Sequence, residues 1–500
     1  MRVAFVTPEV YPYSKTGGLA DVCAALPGAL AGRGVEVTVF SPFYSSARAW
    51  LEAQHIPIEQ LSLPHELWIG DEPHDVVFHT CRVNGLQFVF VSDPPLFDRD
   101  QLYLDDDGQD YHDNLARFSC FCRAVLEYYS HHAPPPDVFH AHDWQAALIP
   151  VYLKTSYSRP AYNHTRSLLT VHNLGYQGLF PAEQIYATGL SWDVFTPERL
   201  EFYGKLNLLK GGAVYADAVN TVSPEYAEEI QSAEYGHGLE GVMAANHHKL
   251  SGILNGIDPR QWDPLTDPHL PTHFSADDLS GKLVCKKLLQ RDMRLPIRPK
   301  AFLLGAISRL DKQKGIELLL EAFPRLAALD VQLVVLGSGD KYIAESLAAL
   351  AADYPEQVAL RLGFDEPLAH QIEAGVDALL MPSLYEPCGL NQMYSQRYGT
   401  LPIVRETGGL KDSVINHTPK RLAEGKASGF TFRQFDAKRL LDTIRRAAAL
   451  YFTDHKAWTK LVKHVMSIDH SWDARARAYI ELYESITPAQ LAASGGESGE

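Results

Sequence analysis

Val3-Ala4-Phe5-Val6, followed one short loop later by Lys15-Thr16-Gly17-Gly18-Leu19-Ala20-Asp21, is the stretch whose reading decides the fold. An unbroken apolar run of that length suits a strand buried on both faces. Helical spacing then reaches about Leu30, so Gly17-Gly18 falls where a loop enters a helix. Strand, Gly-bearing loop and helix together form the first unit of a sheet covered by helices. Backbone without a Cβ lets a ligand come close, and free N–H groups at a helix start favour negative charge. Lys15 adds a cation, and Asp21 in the first helical turn either meets neutral hydroxyls or favours the helix dipole. A Gly-Gly pair also serves simply to turn a chain, so the local reading holds both a plain turn and a seat for a phosphate-bearing group.

The same rhythm continues outward. Strand-like runs at 2–7, 35–41, 76–83, 86–92, 137–142, 167–172 and 217–222 alternate with helix-length amphipathic runs. After a polar, Pro-rich segment at 258–272 a second series begins, at 301–307, 332–336, 358–362, 378–381 and 401–404. This alternation predicts parallel sheets with helices on both faces. The 500 residues also exceed the size at which one core usually stops growing. The expectation is an α/β protein of two Rossmann-like domains facing a central cleft, 1–252 and 253–469. The tail 487–500, rich in Gly, Ser and Glu, reads as disordered. Ligands of such sheets lie outside the carboxyl ends of the strands.

Composition narrows the partners. A formal charge of −16 leaves no basic surface for nucleic acid or an anionic membrane, so an anionic ligand needs a local basic pocket. The six cysteines are scattered without C-x-x-C spacing, which suggests neither a disulfide framework nor a zinc site. A cytoplasmic protein without leader or membrane span is expected.

Charged and turn-forming residues fall at the strand ends. Arg309 and Lys314 lie in Ser308-Arg309-Leu310-Asp311-Lys312-Gln313-Lys314-Gly315 after the strand expected to end at Ile307, placed to reach one diphosphate or to lie solvated at a helix start. Leu336-Gly337-Ser338-Gly339-Asp340 reads as a strand-to-helix turn. In Tyr385-Glu386-Pro387-Cys388-Gly389-Leu390, Pro387 and Gly389 fix the backbone while Glu386 projects toward a ligand or the surface, and Cys388 reads as a buried small hydrophobe. Thr407-Gly408-Gly409-Leu410 repeats the first Gly-Gly device. His140 and His142 share one strand face, but with no third ligand in view a cleft-lining role outweighs a metal.

Taken in order, the Lys15–Asp21 run, His140-Ala141-His142-Asp143-Trp144, Val171-His172-Asn173, Leu254-Asn255-Gly256, Ser308-Arg309, Gln313-Lys314-Gly315, Glu386–Leu390 and Thr407–Leu410 resemble bacterial glycogen synthase and plant starch synthase. The resemblance runs from residue 1 to about 485 and implies that 470–486 returns to the first domain. It implies a glycosyltransferase B fold, no metal or other cofactor, and retaining transfer of glucose from ADP-glucose to the non-reducing end of an α-1,4-glucan. Lys15, Arg309 and Lys314 would bind the diphosphate. Gly17, Gly18, Asp21, Cys388, Gly389, Leu390, Thr407, Gly408 and Gly409 would hold the donor. His172, Asn255 and Glu386 would contact the transferred glucose, with Asp143 and Tyr103 on the acceptor side. Phe364 stands where the family's adenine-stacking Tyr is expected, and Leu104-Asp105-Asp106-Asp107-Gly108 departs from the family's Asp-Arg-Pro-Gly type of run.

Other readings compete. A sucrose, trehalose or lipopolysaccharide glucosyltransferase would share the fold but use a short acceptor. A silent glucan-binding protein would lack Lys15 or Glu386, and both are present. A Rossmann dehydrogenase would carry G-x-G-x-x-G on its first turn, which Lys15-Thr16-Gly17-Gly18 is not.

Overall fold

The structure, a computed structural model, describes residues 1–105 and 107–487. Asp106 and the tail from 488 onward, expected to be disordered, lie outside the described residues. The chain forms two compact units, one from Met1–Val222, Ala227–Asn255 and the chain from Trp472, the other from Ser223–Tyr226 and Gly256–Ser471.

In the first unit the strands are β1 (Arg2–Val6), β2 (Glu36–Pro42), β3 (Glu59–Ser62), β4 (Leu67–Ile69), β5 (Glu72–His74), β6 (Val77–Val83), β7 (Leu86–Ser92), β8 (Val138–His142), β9 (Arg166–Val171), β10 (Leu179–Pro181), β11 (Glu201–Phe202), β12 (Lys205–Asn207), β13 (Ala218–Thr221) and β14 (Leu250–Gly252). The main sheet runs β14-β13-β9-β8-β1-β2-β7-β6-β3. From β14 to β7 the pairing is parallel, as the alternation predicts.

The edge departs from that pattern. β6 pairs antiparallel with both β7 and β3. Asn84 and Gly85, both at positive φ, form a two-residue turn between β6 and β7, and such a turn returns the chain alongside itself as a hairpin. The first helix, α1 (Gly18–Ala31), buries Val22, Cys23, Leu26 and Leu30 against Val3 and Phe5 of β1. Trp472, Ala476, Tyr479 and Tyr483 of the Trp472–Ile486 helix fill the same core.

The second unit holds a sheet of β15 (Phe302–Leu310), β16 (Val331–Gly339), β17 (Val358–Leu362), β18 (Ala378–Met381), β19 (Leu401–Arg405) and β20 (Phe430–Phe432). Its order is β17-β16-β15-β18-β19-β20, with every neighbouring pair parallel. Successive residues alternate between two cores. Leu304, Val335, Leu380 and Ile403 enter one, while Leu303, Val334, Leu379 and Val404 enter the other. Strands that are apolar at every position therefore bury both faces of the sheet.

β15 and β16 run past their expected ends to Leu310 and Gly339, paired in register throughout. The Gly337-Ser338-Gly339 stretch is thus strand, where the sequence reads as a turn. A Cβ on Gly337 would sit 2.2 Å from the Ser308 carbonyl oxygen, so glycine permits a strand approach that a side chain would block. Among the described residues no helix is long and apolar enough to cross a membrane.

Candidate active site

Each sheet has one point where successive connections turn to opposite sides, and open α/β sheets bind ligands there. In the first unit it lies between β1, whose chain continues to β2, and β8, whose chain continues to β9. The loop after β1 carries Lys15, Gly17 and Gly18, β8 ends at His142 beside Asp143, and His172 follows β9. In the second unit it lies between β15 and β18, whose following segments carry Lys314 and Glu386.

Gly17 caps α1 and Gly18 begins it, as expected. The amides near them are not waiting for a ligand, however. The buried Glu9 carboxylate accepts from the Thr16 amide and hydroxyl, both at 2.5 Å, from the Gly17 amide at 3.4 Å and from the Tyr103 hydroxyl at 2.7 Å. Burial pushes the Glu9 carboxyl above its usual range despite these donors. The protein's own carboxylate thus occupies the Thr16 and Gly17 amides, which precede the first helical residue, Gly18. Glu9 was legible only as an acid at the end of the first strand. Lys15 pairs with Asp21 at 2.7 Å, so Asp21 meets a cation where sequence suggests hydroxyls or the helix dipole.

Asp143 adopts φ 55°, a left-handed conformation rare outside glycine. Its carboxylate accepts the His172 amide at 2.6 Å, and burial raises its pKa to about 7. His172 Nε2 lies 3.0 Å from His142 Nδ1, and burial lowers the His172 pKa to about 3, so both rings are neutral and one donates to the other. His140 does not line a cleft. It is fully buried, with Nδ1 2.8 Å from the Tyr483 hydroxyl and Nε2 2.6 Å from Thr170 Oγ1. Asn255, the last residue of this unit's central segment, has its Oδ1 buried without a hydrogen-bond partner among the described residues.

In the second unit Lys314 Nζ lies 2.9 and 2.7 Å from the two Glu386 oxygens, in a pair whose side chains are 17% and 8% exposed. Ser383 Oγ donates to the same carboxylate at 2.9 Å. The two loops also join through backbone. The Leu384 amide donates to the Gln313 carbonyl at 2.7 Å, and Gly315, at φ 64°, has no room for a Cβ beside the Pro382 carbonyl. Arg405, at the end of β19, donates from Nε to the Ser383 carbonyl at 2.7 Å and from its terminal nitrogen to the Leu384 carbonyl. Sequence reading passed over Arg405, whose only signal is a charge ending an apolar strand. Arg309 lies within β15, where its guanidinium meets Asp311 at 3.2 Å.

Cys388 is buried and forms no disulfide among the described residues. Gly389, at φ 70°, precedes Leu390, which caps the Asn391–Arg397 helix. Gln392 Nε2 donates to the Cys388 and Gly389 carbonyls, both at 3.0 Å. The amide of Gly409 donates to the Glu386 carbonyl at 3.1 Å, bringing the Thr407–Gly409 turn onto the Glu386 loop. Phe364, just past β17, is 81% exposed, its ring free to take a flat partner. Among the described residues the groups placed to hold a metal are His65, Glu127 and His131, and His74, Asp93 and Cys120. Neither includes a residue of these two sites.

Comparison with known proteins identifies the family. Residues 2–245 match the family described as the starch synthase catalytic domain, and residues 292–462 match the glycosyl transferases group 1 family. The glycogen synthase of Koribacter versatilis (strain Ellin345) is 46% identical over 97% of this chain and 98% of its own length. The catalytic domain of starch synthase IV from Arabidopsis thaliana, solved bound to ADP and acarbose, superposes with a TM-score of 0.87 at 34% identity, covering 97% of this chain and 99% of its own. The sucrose-phosphate synthase of Thermosynechococcus elongatus, at 19% identity and a TM-score of 0.58, shares the fold alone.

Two Rossmann-like units and these matches define a glycosyltransferase of the glycosyltransferase B fold. Within that class the chain belongs to the glycogen synthase and starch synthase family.

Proposed function

We propose that this enzyme moves glucose from ADP-glucose to the non-reducing end of an α-1,4-glucan, with retention of configuration. The observation that carries the reading is the Lys314–Glu386 pair at the switch point of the second sheet. A cation and a carboxylate held side by side suit a sugar diphosphate, whose phosphates need positive charge and whose ring hydroxyls need an acceptor. Lys314, with Arg309 and Lys15, takes up the charge that develops on the leaving diphosphate, so no metal is required. Glu386 orients the glucose hydroxyls, and His172 and Asn255 offer it further polar contacts. The exposed Phe364 stacks on adenine. Asp143 and Tyr103 serve the acceptor side, on the unit expected to span 1–252, while 253–469 holds the nucleotide sugar. The cysteines are buried and none forms a disulfide among the described residues, in keeping with a reducing cytoplasm.

The test is incubation with labelled ADP-glucose or UDP-glucose and a malto-oligosaccharide primer. The expected product is a ladder of longer α-linked chains, formed faster from ADP-glucose. Release of free glucose alone, or a faster reaction with UDP-glucose, overturns the assignment.

A further inference from the structure

The second unit contains a cavity of about 560 Å³ beside the ends of β19 and β20, within the size range of small-ligand sites. Its charge sets it apart. Arg421, Arg433, Arg439 and Arg446 line it, against the acids Glu406 and Asp442, in a chain whose net charge is −16. Arg433 is already paired with Glu406, Nε to Oε2 at 2.8 Å, and Glu406 also accepts from Thr431 Oγ1 at 2.6 Å.

The other guanidinium groups are placed differently. Arg439 Nε donates to Gln434 Oε1 at 3.0 Å, Arg421 NH1 to the Asn416 carbonyl at 3.3 Å, and Arg446 NH2 to the Thr431 carbonyl at 3.0 Å. These acceptors are neutral, and no carboxylate among the described residues lies within ion-pair distance of any of the three. Arg439 and Arg446 are seven apart on the Ala437–Thr453 helix and so share a face, with Thr443 between them. Neutral acceptors orient these forks without neutralising them, so four arginines set against Glu406 and Asp442 leave a net positive charge around one cavity. Arginine forks match phosphate oxygens, often in pairs.

We propose that this cavity binds a small phosphate-bearing anion at a site separate from the donor loops. The phosphate lies among Arg421, Arg439 and Arg446. Thr443, whose hydroxyl donates to the Arg439 carbonyl at 2.9 Å, and Asn416, whose Oδ1 accepts the Thr431 amide at 3.0 Å, hold the backbone around it.

Calorimetric titration of the full chain with inorganic phosphate, a hexose phosphate and a nucleoside monophosphate tests this and separates the sources of the phosphate. The double variant Arg421→Gln, Arg439→Gln serves as the site knockout. Both side chains are exposed, so its melting temperature and basal transfer rate should match the unmodified chain. Arg309→Ala removes a donor-loop cation instead. Saturable binding of at least one probe is expected, weakened tenfold or more in the double variant and unchanged in Arg309→Ala. Tighter binding of an ester than of inorganic phosphate identifies the attached group. Binding that survives the double variant, or that disappears in Arg309→Ala, overturns the proposal. So does the absence of saturable binding by all three probes below about 10 mM, which corresponds to less than roughly 3 kcal/mol of affinity.

Discussion

The chain uses one sequence device twice, Thr-Gly-Gly-Leu before a helix, and the two copies differ in kind. At Gly17 a Cβ would meet nothing within 4 Å, whereas at Gly409 it would lie 2.1 Å from the Cys388 carbonyl oxygen. The first turn is open, held from below by Glu9 and flanked by a Lys15–Asp21 pair whose side chains are 29% and 25% exposed. The second is wedged against the loop that carries Glu386, and its neighbouring cation is locked in a mostly buried pair. The absence of a side chain thus leaves open space in one place and permits backbone packing in the other. A Gly-Gly motif does not disclose which until its neighbours are known.

The charges give the widest contrast. Lys314→Ala should leave Glu386 buried without its partner and remove a cation from the proposed diphosphate site. We expect about 3 kcal/mol or more off stability, and a fall of two to three decades in turnover, or about 2.7 to 4 kcal/mol. Lys15→Ala should change stability by less than about 1 kcal/mol, because its pair is exposed. Denaturant unfolding and initial-rate measurements on both variants check this, and equal stability losses would erase the contrast.

Next in size is the packing itself. Gly409→Ala forces the Cys388 backbone aside and should cost about 1 to 3 kcal/mol, with activity falling as the Glu386 loop shifts. Thermal melts and a structure of the variant would show it. A melting temperature equal to the unmodified chain's would mean the turn has slack that the geometry denies.

The latch beneath the open turn is comparable. Glu9→Ala strips the acceptor from Thr16, Gly17 and Tyr103, and should cost about 1 to 3 kcal/mol while loosening the Lys15–Gly18 loop. Hydrogen exchange at the Thr16 and Gly17 amides reads the loosening directly, and unchanged protection would contradict it.

A pH-dependent term separates two neighbours within the first unit. His172, with a folded pKa of about 3 below its ordinary 6.5, binds fewer protons folded than unfolded between those values. Its contribution is complete above pH 6.5 and is lost as pH falls toward 3. Asp143 acts oppositely. With its pKa raised from 3.8 to about 7, the folded state binds more protons across that window, so its contribution falls as pH rises. The stability gap between the unmodified chain and His172→Gln should therefore widen from pH 3 to 6.5, and the gap to Asp143→Asn should narrow from pH 3.8 to 7. Isothermal unfolding across pH 4 to 8 tests both signs.

The smallest effect belongs to the open turn. Gly17→Ala should cost about 0.5 to 1 kcal/mol, since alanine is a poorer N-cap residue than glycine although its Cβ would meet no obstruction here. It should raise the donor KM about tenfold, roughly 1.4 kcal/mol, if the donor approaches that backbone. An unchanged KM would make Gly17 a turn residue only.

Much of this molecule was determined by local pattern. Apolar strands with helical runs between them dictated two doubly wound sheets, and turn chemistry at the strand ends marked Lys15, Lys314 and Glu386 as candidates, to which the family resemblance added His172. Even the hairpin of β6 and β7 was written in Asn84-Gly85, though the prevailing parallel rhythm masked it. What only tertiary structure decided were relations between distant residues. Glu9 meeting Thr16 and Tyr103, Arg405 holding the Ser383 and Leu384 carbonyls, and His140 buried against Tyr483 join segments far apart in sequence. The physical reason is range. Periodicity and turn preference act over a few residues and survive in any sequence window, whereas a hydrogen bond, a burial penalty or a missing Cβ takes its meaning from whatever the fold places within about 4 Å.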